Sequence, residues 1–313
     1  MSNRWTPAQL PDLTGRTAVV TGANSGVGLH TSLELARRGA YVVLACRDAG
    51  RGEQAVAEVR RQAPAAQVEL GLLDLASLAS VRTFAGQLLG SHPRLDILVN
   101  NAGVMALPTR QVTADGFEMQ IATNHLGHFA LTGLLLPALL AAHARVVSVS
   151  SNAHQAGALN LADLHGERRY NPWTAYAQSK LANLLFTIEL QRRADQAAVE
   201  LTSAAAHPGL SATQLVLSGP GAGRGLFGTV IDAGNRLVAQ SAEMGSWPIL
   251  YAAAMPDVRG AEYFGPRGLG GWRGAPVRIT ARATAYDPGA AAALWQHSAE
   301  LTGVHYEALS PAH

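Results

Sequence analysis

Thr17-Ala18-Val19-Val20-Thr21-Gly22-Ala23-Asn24-Ser25-Gly26-Val27-Gly28 is the stretch on which the fold turns. An apolar run rich in β-formers empties into a glycine-rich turn with the spacing G-x-x-x-G-x-G. Residues 26–38 then carry apolar side chains at helical intervals as far as Gly39. A buried strand, a tight turn and a helix start make a βα unit. Gly22 permits the turn out of the strand, Gly26 lets the backbone approach a pyrophosphate, and Gly28 lets the helix start pack close to the sheet. The free N–H groups of the turn and the helix dipole favour a bound anion, and Asn24, Ser25 and Val27 are grouped with the glycines as contacts. Read as an ordinary glycine-rich turn, the same residues would bind nothing.

Working outward, short apolar runs alternate with helical patterns. Strands are expected at 41–45, 68–73, 95–99, 145–150 and 199–206. Helices are expected at 52–61 (stopped by Pro64), 78–89 (ended by Gly90), 117–142 and 174–194. Strict β–α alternation predicts an α/β fold. The expected architecture is a single-domain, Rossmann-type, doubly wound parallel sheet of about seven strands with helices on both faces. Residues 1–13 read as an N-terminal tail and 210–244 as a small substrate lid. Residues 265–313 read as a C-terminal extension, loop-rich to 276 and helical over 288–301. In such sheets ligands bind beyond the carboxyl ends of the strands.

Composition narrows the function classes. The 313 residues are 48% hydrophobic and 15% charged, enough to bury a sizeable core. Lys and Arg total 24 against 22 for Asp and Glu, which argues against a nucleic-acid binder working through a basic patch. The single cysteine, Cys46, excludes an intrachain disulfide and a thiolate metal cluster. Eleven histidines, among them His125 and His128 on one helical face, are read as structural or solvated, and no metal site is expected. The start lacks a signal-peptide pattern, and the most apolar stretch, 129–142, is too short to span a bilayer. A soluble, cytoplasmic protein is expected.

The second strand runs into Cys46-Arg47-Asp48. An NAD site places an acid there for the ribose 2′-OH. Here Cys46 takes that place and Arg47 follows, whose guanidinium suits a 2′-phosphate, so NADP(H) is preferred over NAD(H). Asp48 could instead neutralise Arg47 or face a ribose. Asp74-Leu75 follows the third strand, where a carboxylate could accept from an adenine amino group or serve only as a loop cap. Asn100-Asn101-Ala102-Gly103 follows the fourth. Its amides can tie neighbouring loops together, and Gly103 allows close approach to a ligand.

The fifth strand ends in Ser150-Ser151, and the next helix carries Tyr176 and Lys180. Four apart, those two share a helical face. A phenol of pKa about 10 is a poor proton donor and acceptor at neutral pH. A nearby ammonium, with an oxidised nicotinamide, would stabilise tyrosinate and lower that pKa, while a serine hydroxyl would hold the substrate oxygen. Lys180 is the only lysine in the chain. Placed at random, it would follow one of the seven tyrosines at this spacing only about 2% of the time.

With these motifs in place, the chain resembles the short-chain dehydrogenase/reductase family from Thr14 to about Val304. It is most similar to the retinol dehydrogenase-like and WW-domain oxidoreductase-like group. The stretches Asn124-His125-Leu126-Gly127-His128-Phe129, Tyr170-Asn171-Pro172-Trp173 and His207-Pro208-Gly209 strengthen the match. The resemblance implies hydride transfer between a nicotinamide and a carbonyl or alcohol carbon of an apolar small molecule. It makes Ser151 the catalytic serine, with Ser150 as the alternative one position earlier. Tyr176 becomes the general acid/base, Lys180 the ribose-binding lysine, and Asn124 part of a proton relay through water. It assigns Asp74 and Leu75 to adenine, and Asn101, Ala102 and Gly103 to the adenine ribose. Pro208 and Gly209 face the nicotinamide, and Thr213 caps the carboxamide or phosphate. A homodimer or homotetramer also belongs to the family pattern. The competing readings are an NAD-dependent dehydrogenase, a catalytically idle NADP(H)-binding regulatory protein, and a sugar-nucleotide epimerase. The long Ser-to-Tyr link and short C-terminal part speak against the epimerase.

Overall fold

Alternate residues of the first two strands belong to different apolar clusters. Val20, Val42 and Leu44 lie in one and Val19 and Val43 in the other, all buried. A strand whose two faces are both apolar must be covered on both sides. The computed structural model describes residues 5–210 and 240–309. Its strands are β1 (Thr17–Thr21), β2 (Tyr41–Cys46), β3 (Gln67–Leu72), β4 (Ile97–Asn100), β5 (Arg145–Val149), β6 (Thr202–Ala206), β7 (Tyr263–Pro266) and β8 (Pro276–Ile279). The helices are α1 (Gly26–Arg37), α2 (Ala49–Gln62), α3 (Leu78–Ser91), α4 (Met119–Ile121), α5 (Gly127–Leu134), α6 (Leu136–Ala141), α7 (Pro172–Gln196), α8 (Ala242–Ala254) and α9 (Pro288–Thr302).

The strands form one sheet in the order β3-β2-β1-β4-β5-β6-β7-β8. Every pairing from β3 to β7 is parallel, and β8 runs antiparallel on β7. Helices α1, α2 and α8 contribute to one apolar cluster, and α3, α5, α6, α7 and α9 to the other. The strand order reverses between β1 and β4, so a crevice opens between their carboxyl ends. The loops bearing the candidate residues all leave the sheet at that end.

The expected doubly wound sheet is present, with eight strands rather than about seven. The stretch expected to be loop-rich holds the end of β7 and the start of β8, short strands whose glycines and prolines hide the alternation. The helix expected over 117–142 is broken. A π-turn at Ala122–Leu126 separates α4 from α5, with the Gly127 N–H reaching back to the Ala122 carbonyl. The second break falls at Leu135, beside Pro137 at the start of α6, which has no N–H to give. Gly90 lies inside α3 rather than ending it. The strand expected from 199 begins at Thr202, because Ala198 takes a left-handed φ of 51° and the Leu201 N–H bonds the Val199 carbonyl. Of the expected lid, residues 211–239 lie outside the described residues, and its last three positions open α8. No described helix is long and apolar enough to cross a membrane.

Gly127 sets how closely α5 approaches the β3–α3 loop. A Cβ there would collide with the Leu75 carbonyl oxygen and come within 2.9 Å of the Leu75 Cβ. In an open helix, replacing Gly by Ala stabilises by about 1 kcal/mol. Here Gly127→Ala is expected to destabilise by about 1–3 kcal/mol, read as a lower urea midpoint. An unchanged or higher midpoint would show that the contact is not tight.

Candidate active site

The turn after β1 is built around glycine backbone. Gly22 and Gly26 adopt φ of 66° and 55°, which side-chain-bearing residues rarely take. A Cβ on Gly28 would strike the Gly22 carbonyl oxygen and lie 2.6 Å from Asn101 Nδ2. The turn is pinned to the loop after β4. The Asn101 and Ala102 N–H groups each donate to Thr21 Oγ1 at 2.9 Å, and Asn101 Nδ2 donates to the Thr21 carbonyl at 2.7 Å. Ser25 is exposed at the N-cap of α1 with no side-chain capping bond, and Asn24 is partly buried. Val27 and Gly28 are buried under the helix start. Gly22 and Gly28 thus let turn, helix start and neighbouring loop pack without a Cβ, and the backbone N–H groups at the amino end of α1 suit a pyrophosphate.

Beyond β2, Cys46 is buried and burial pushes its thiol up to about 11. Arg47 is exposed beside it. Asp48, read as a partner for Arg47 or a ribose, instead caps α2, accepting from the Arg51 N–H at 2.8 Å. This cap starts α2 three residues earlier than expected. One Asp74 oxygen accepts from the Ala76 N–H at 3.0 Å, and the other has no such local partner. The Leu75 side chain is buried in the core, so only its backbone can serve a ligand. Gly103 sits between the π-turn and α7, where a Cβ would lie 3.0 Å from Asn124 Oδ1 and 3.4 Å from Lys180 Nζ.

Helix α7 presents Tyr176 and Lys180. Asn171 caps it, accepting from the Trp173 and Thr174 N–H groups at 3.0 Å, and Pro172 opens its first turn. Lys180 is only 4% exposed. Its Nζ donates to the Val149 carbonyl at the end of β5 (3.1 Å) and stands 5.7 Å from the centre of the Tyr176 ring. Burial pulls the ammonium down to about 8. Tyr176 is buried too, and burial raises its phenol above the ordinary value, opposed by a hydrogen bond with Ser151. In the protein by itself, loss of hydration dominates the balance at Tyr176.

The two serines separate cleanly. Ser150 is buried and its hydroxyl donates to the Lys180 carbonyl at 2.8 Å, whereas Ser151 is partly exposed and meets Tyr176. His154 Nδ1 approaches the Ser151 carbonyl at 2.6 Å. Asn124 lies at the centre of the π-turn, fully buried. Its amide accepts from the Val104 N–H (2.8 Å) and donates to the Val104 carbonyl and to Ser179 Oγ (2.9 Å each). After β6, Gly209 takes a φ of 70° and its N–H donates to His207 Nδ1, while Gln240 Nε2 holds the Pro208 carbonyl at 2.6 Å. Thr213 lies outside the described residues. His154, Ser179 and Asn183, whose Nδ2 shares the Val149 carbonyl with Lys180, were not singled out in the sequence for this site. Asn183 had a signal, since it stands seven residues after Tyr176 on the same helical face.

Comparison with known proteins adds four findings. Residues 16–218 match the family model described as short chain dehydrogenase. The chain is 45% identical over 263 residues to polyprenol dehydrogenase of Mus musculus, covering 81% of this chain and 76% of that protein. It is 43% identical over 300 residues to retinol dehydrogenase 13 of Homo sapiens, covering 93% and 85%. Among solved structures, one from Mycobacterium paratuberculosis superposes with a TM-score of 0.80 at 46% identity, covering 97% of this chain and 99% of that one.

The buried ammonium has a measurable stability cost. Its value falls from 10.5 to about 8 on folding. The unfolded chain therefore holds the proton more tightly, and the destabilisation is full below about pH 8. It is relieved as the pH rises from there through 10.5. A shift of this size corresponds to about 3 kcal/mol, less about 1 kcal/mol for the hydrogen bond to Val149. Lys180→Met is expected to raise stability at pH 7 by about 2 kcal/mol in urea titrations of the protein alone, with the gain shrinking toward pH 10. A loss of stability at pH 7 would contradict the cost.

Proposed function

Because the chain belongs to the short-chain dehydrogenase family, and is on that ground an oxidoreductase acting on CH–OH groups of small molecules with a nicotinamide cofactor, we propose that it prefers NADP(H) over NAD(H) and acts on an apolar alcohol or carbonyl compound. The observation that carries this reading is the packing of Tyr176 and Lys180 together where β5 ends, with Lys180 Nζ hydrogen-bonded to the Val149 carbonyl and 5.7 Å from the centre of the Tyr176 ring. Bound NADP(H) supplies the hydride and, when oxidised, a positive ring.

Tyr176 Oη donates its proton to the substrate oxygen in reduction and accepts it in oxidation. Ser151 Oγ orients that oxygen through a hydrogen bond and meets the charge that develops on it. Lys180 holds the nicotinamide ribose through Nζ and adds positive charge beside the phenol, drawing its pKa down once a second positive group is present. Asn124 belongs to the relay that returns a proton to Lys180. Gly22, Asn24, Ser25, Gly26, Val27 and Gly28 take the pyrophosphate. Asp74 and the Leu75 backbone take adenine, Asn101, Ala102 and Gly103 its ribose, and Pro208, Gly209 and Thr213 the nicotinamide side.

Arg47 supports the choice of NADP(H). It is an exposed guanidinium at the end of β2, next to a buried thiol where an NAD site would hold a carboxylate. Apolar side chains near the site support an apolar substrate. Trp173 is 60% exposed one turn before Tyr176. Trp272 is 50% exposed, and its carbonyl accepts from the N–H of exposed Leu210. Two relatives bear the names of polyprenol and retinol dehydrogenases, substrates of the same apolar class. A cytoplasmic location goes with this reading.

Tyr176→Phe is expected to bind NADPH within a few-fold of the parent and to lose about 100-fold or more in kcat on any accepted carbonyl compound. Retained turnover would remove Tyr176 from the chemistry. In fluorescence titrations the parent is expected to prefer NADPH to NADH, and Arg47→Glu to lose about tenfold or more in NADPH affinity with little change for NADH. An equal preference in the parent would overturn the NADP(H) assignment. NADPH binding without turnover across a broad panel of aldehydes, ketones and quinones would favour a regulatory protein.

A further inference from the structure

His128 follows Asn124 by one helical turn, is 2% exposed, and has a partner at each ring nitrogen. Nε2 lies 2.9 Å from Thr21 Oγ1 and Nδ1 lies 3.1 Å from the Asn124 carbonyl. Proton counting assigns the direction of both bonds. Thr21 Oγ1 already accepts from the Asn101 and Ala102 N–H groups. Its lone pairs are taken, and what it can still offer is its proton. The nearest acceptor for that proton is His128 Nε2, since the Val99 carbonyl is farther at 3.3 Å. Nε2 is therefore unprotonated and Nδ1 carries the hydrogen. The other end requires the same tautomer, because a carbonyl oxygen can only accept. The reversed tautomer would set N–H against a saturated oxygen and a lone pair against a carbonyl.

We propose that His128 is a positioning residue that ties the Asn124 carbonyl of the π-turn to the end of β1, so that one imidazole holds the relay residue and the dinucleotide turn in register. Asn124 is then gripped from three sides. His128 holds its carbonyl from β1, Val104 brackets its amide from the loop after β4, and Ser179 reaches it from α7. A π-turn leaves a helix locally irregular, and such irregularity persists only where surrounding contacts over-determine it. The ring stays neutral in this place, pulled down to about 4 mainly by burial and also by the Lys180 charge. A neutral ring with one donor and one acceptor is what the two ends demand. The kinetic part of the proposal rests on the activity put forward above; the tautomer does not.

Two measurements test it. In the unliganded protein at neutral pH, imidazole nitrogen-15 spectra assigned with His128→Asn are expected to show a neutral Nδ1–H ring. A neutral Nε2–H ring or a charged ring would overturn the placement. In steady-state kinetics His128→Leu, which keeps neither bond, is expected to lose about 10- to 100-fold in kcat with KM for NADPH changed less than about threefold. His128→Asn keeps an N–H at the position of Nδ1 but loses the bond to Thr21, so it is expected to fall between the parent and His128→Leu in kcat. Parent-like turnover in either variant would overturn the positioning role. A parent chain without turnover would overturn the proposed activity, and the nitrogen spectra would still decide the placement of His128.

Discussion

A lone ammonium buried where a parallel sheet ends is the constraint around which this molecule is arranged. Lys180 is only 4% exposed, so most of its charge must be met by what the fold supplies, and the Val149 carbonyl accepts a bond from it. That bond requires β5 to end there and α7 to cross it closely. Asn183 shares the same carbonyl, and the Ser150 hydroxyl returns to the Lys180 carbonyl, so strand and helix are stitched in both directions. The next residue, Ser151, is thereby turned outward toward Tyr176. Burying a cation so incompletely neutralised lowers stability. A site held at such cost is the kind that function retains.

The same logic runs through the loops. The turn after β1 and the loop after β4 have no room for side chains between them. They are joined by Thr21, whose oxygen gathers two backbone N–H groups and whose proton goes to His128. Through His128 and Asn124 this junction reaches the π-turn, and through Ser179 it reaches α7. The glycine turn and the helix that carries Tyr176 and Lys180 belong to one hydrogen-bonded unit.

Much of this could be read in the residues. The run from Thr17 to Gly28 gave strand, turn and helix in order, and the spacing of Tyr176 and Lys180 put both on one face of a helix, because both rest on local spacing. What could not be read was set by tertiary packing. The break at Asn124 has no sequence marker, since a π-turn is selected by contacts from β1, β4 and α7. Strands β7 and β8 are four residues each, with Gly265, Pro266 and Pro276 among them, too short and too punctuated to show a period of two. Asp48 was legible as an acid near a ribose but serves as a helix cap, and only the position of the Arg51 N–H distinguishes the two. How completely the Tyr176 ring is buried was also out of reach, because it depends on packing from distant elements.

Burial holds the Tyr176 proton, and added positive charge is expected to release it. Ultraviolet absorbance of tyrosinate against pH, taken as the parent minus Tyr176→Phe, with and without NADP+, tests this. Ionisation is expected above the ordinary tyrosine value of about 10 in the protein alone, with a clear move to lower pH when NADP+ is added. Ionisation at or below the ordinary value in the protein alone, or no movement with NADP+, would contradict it.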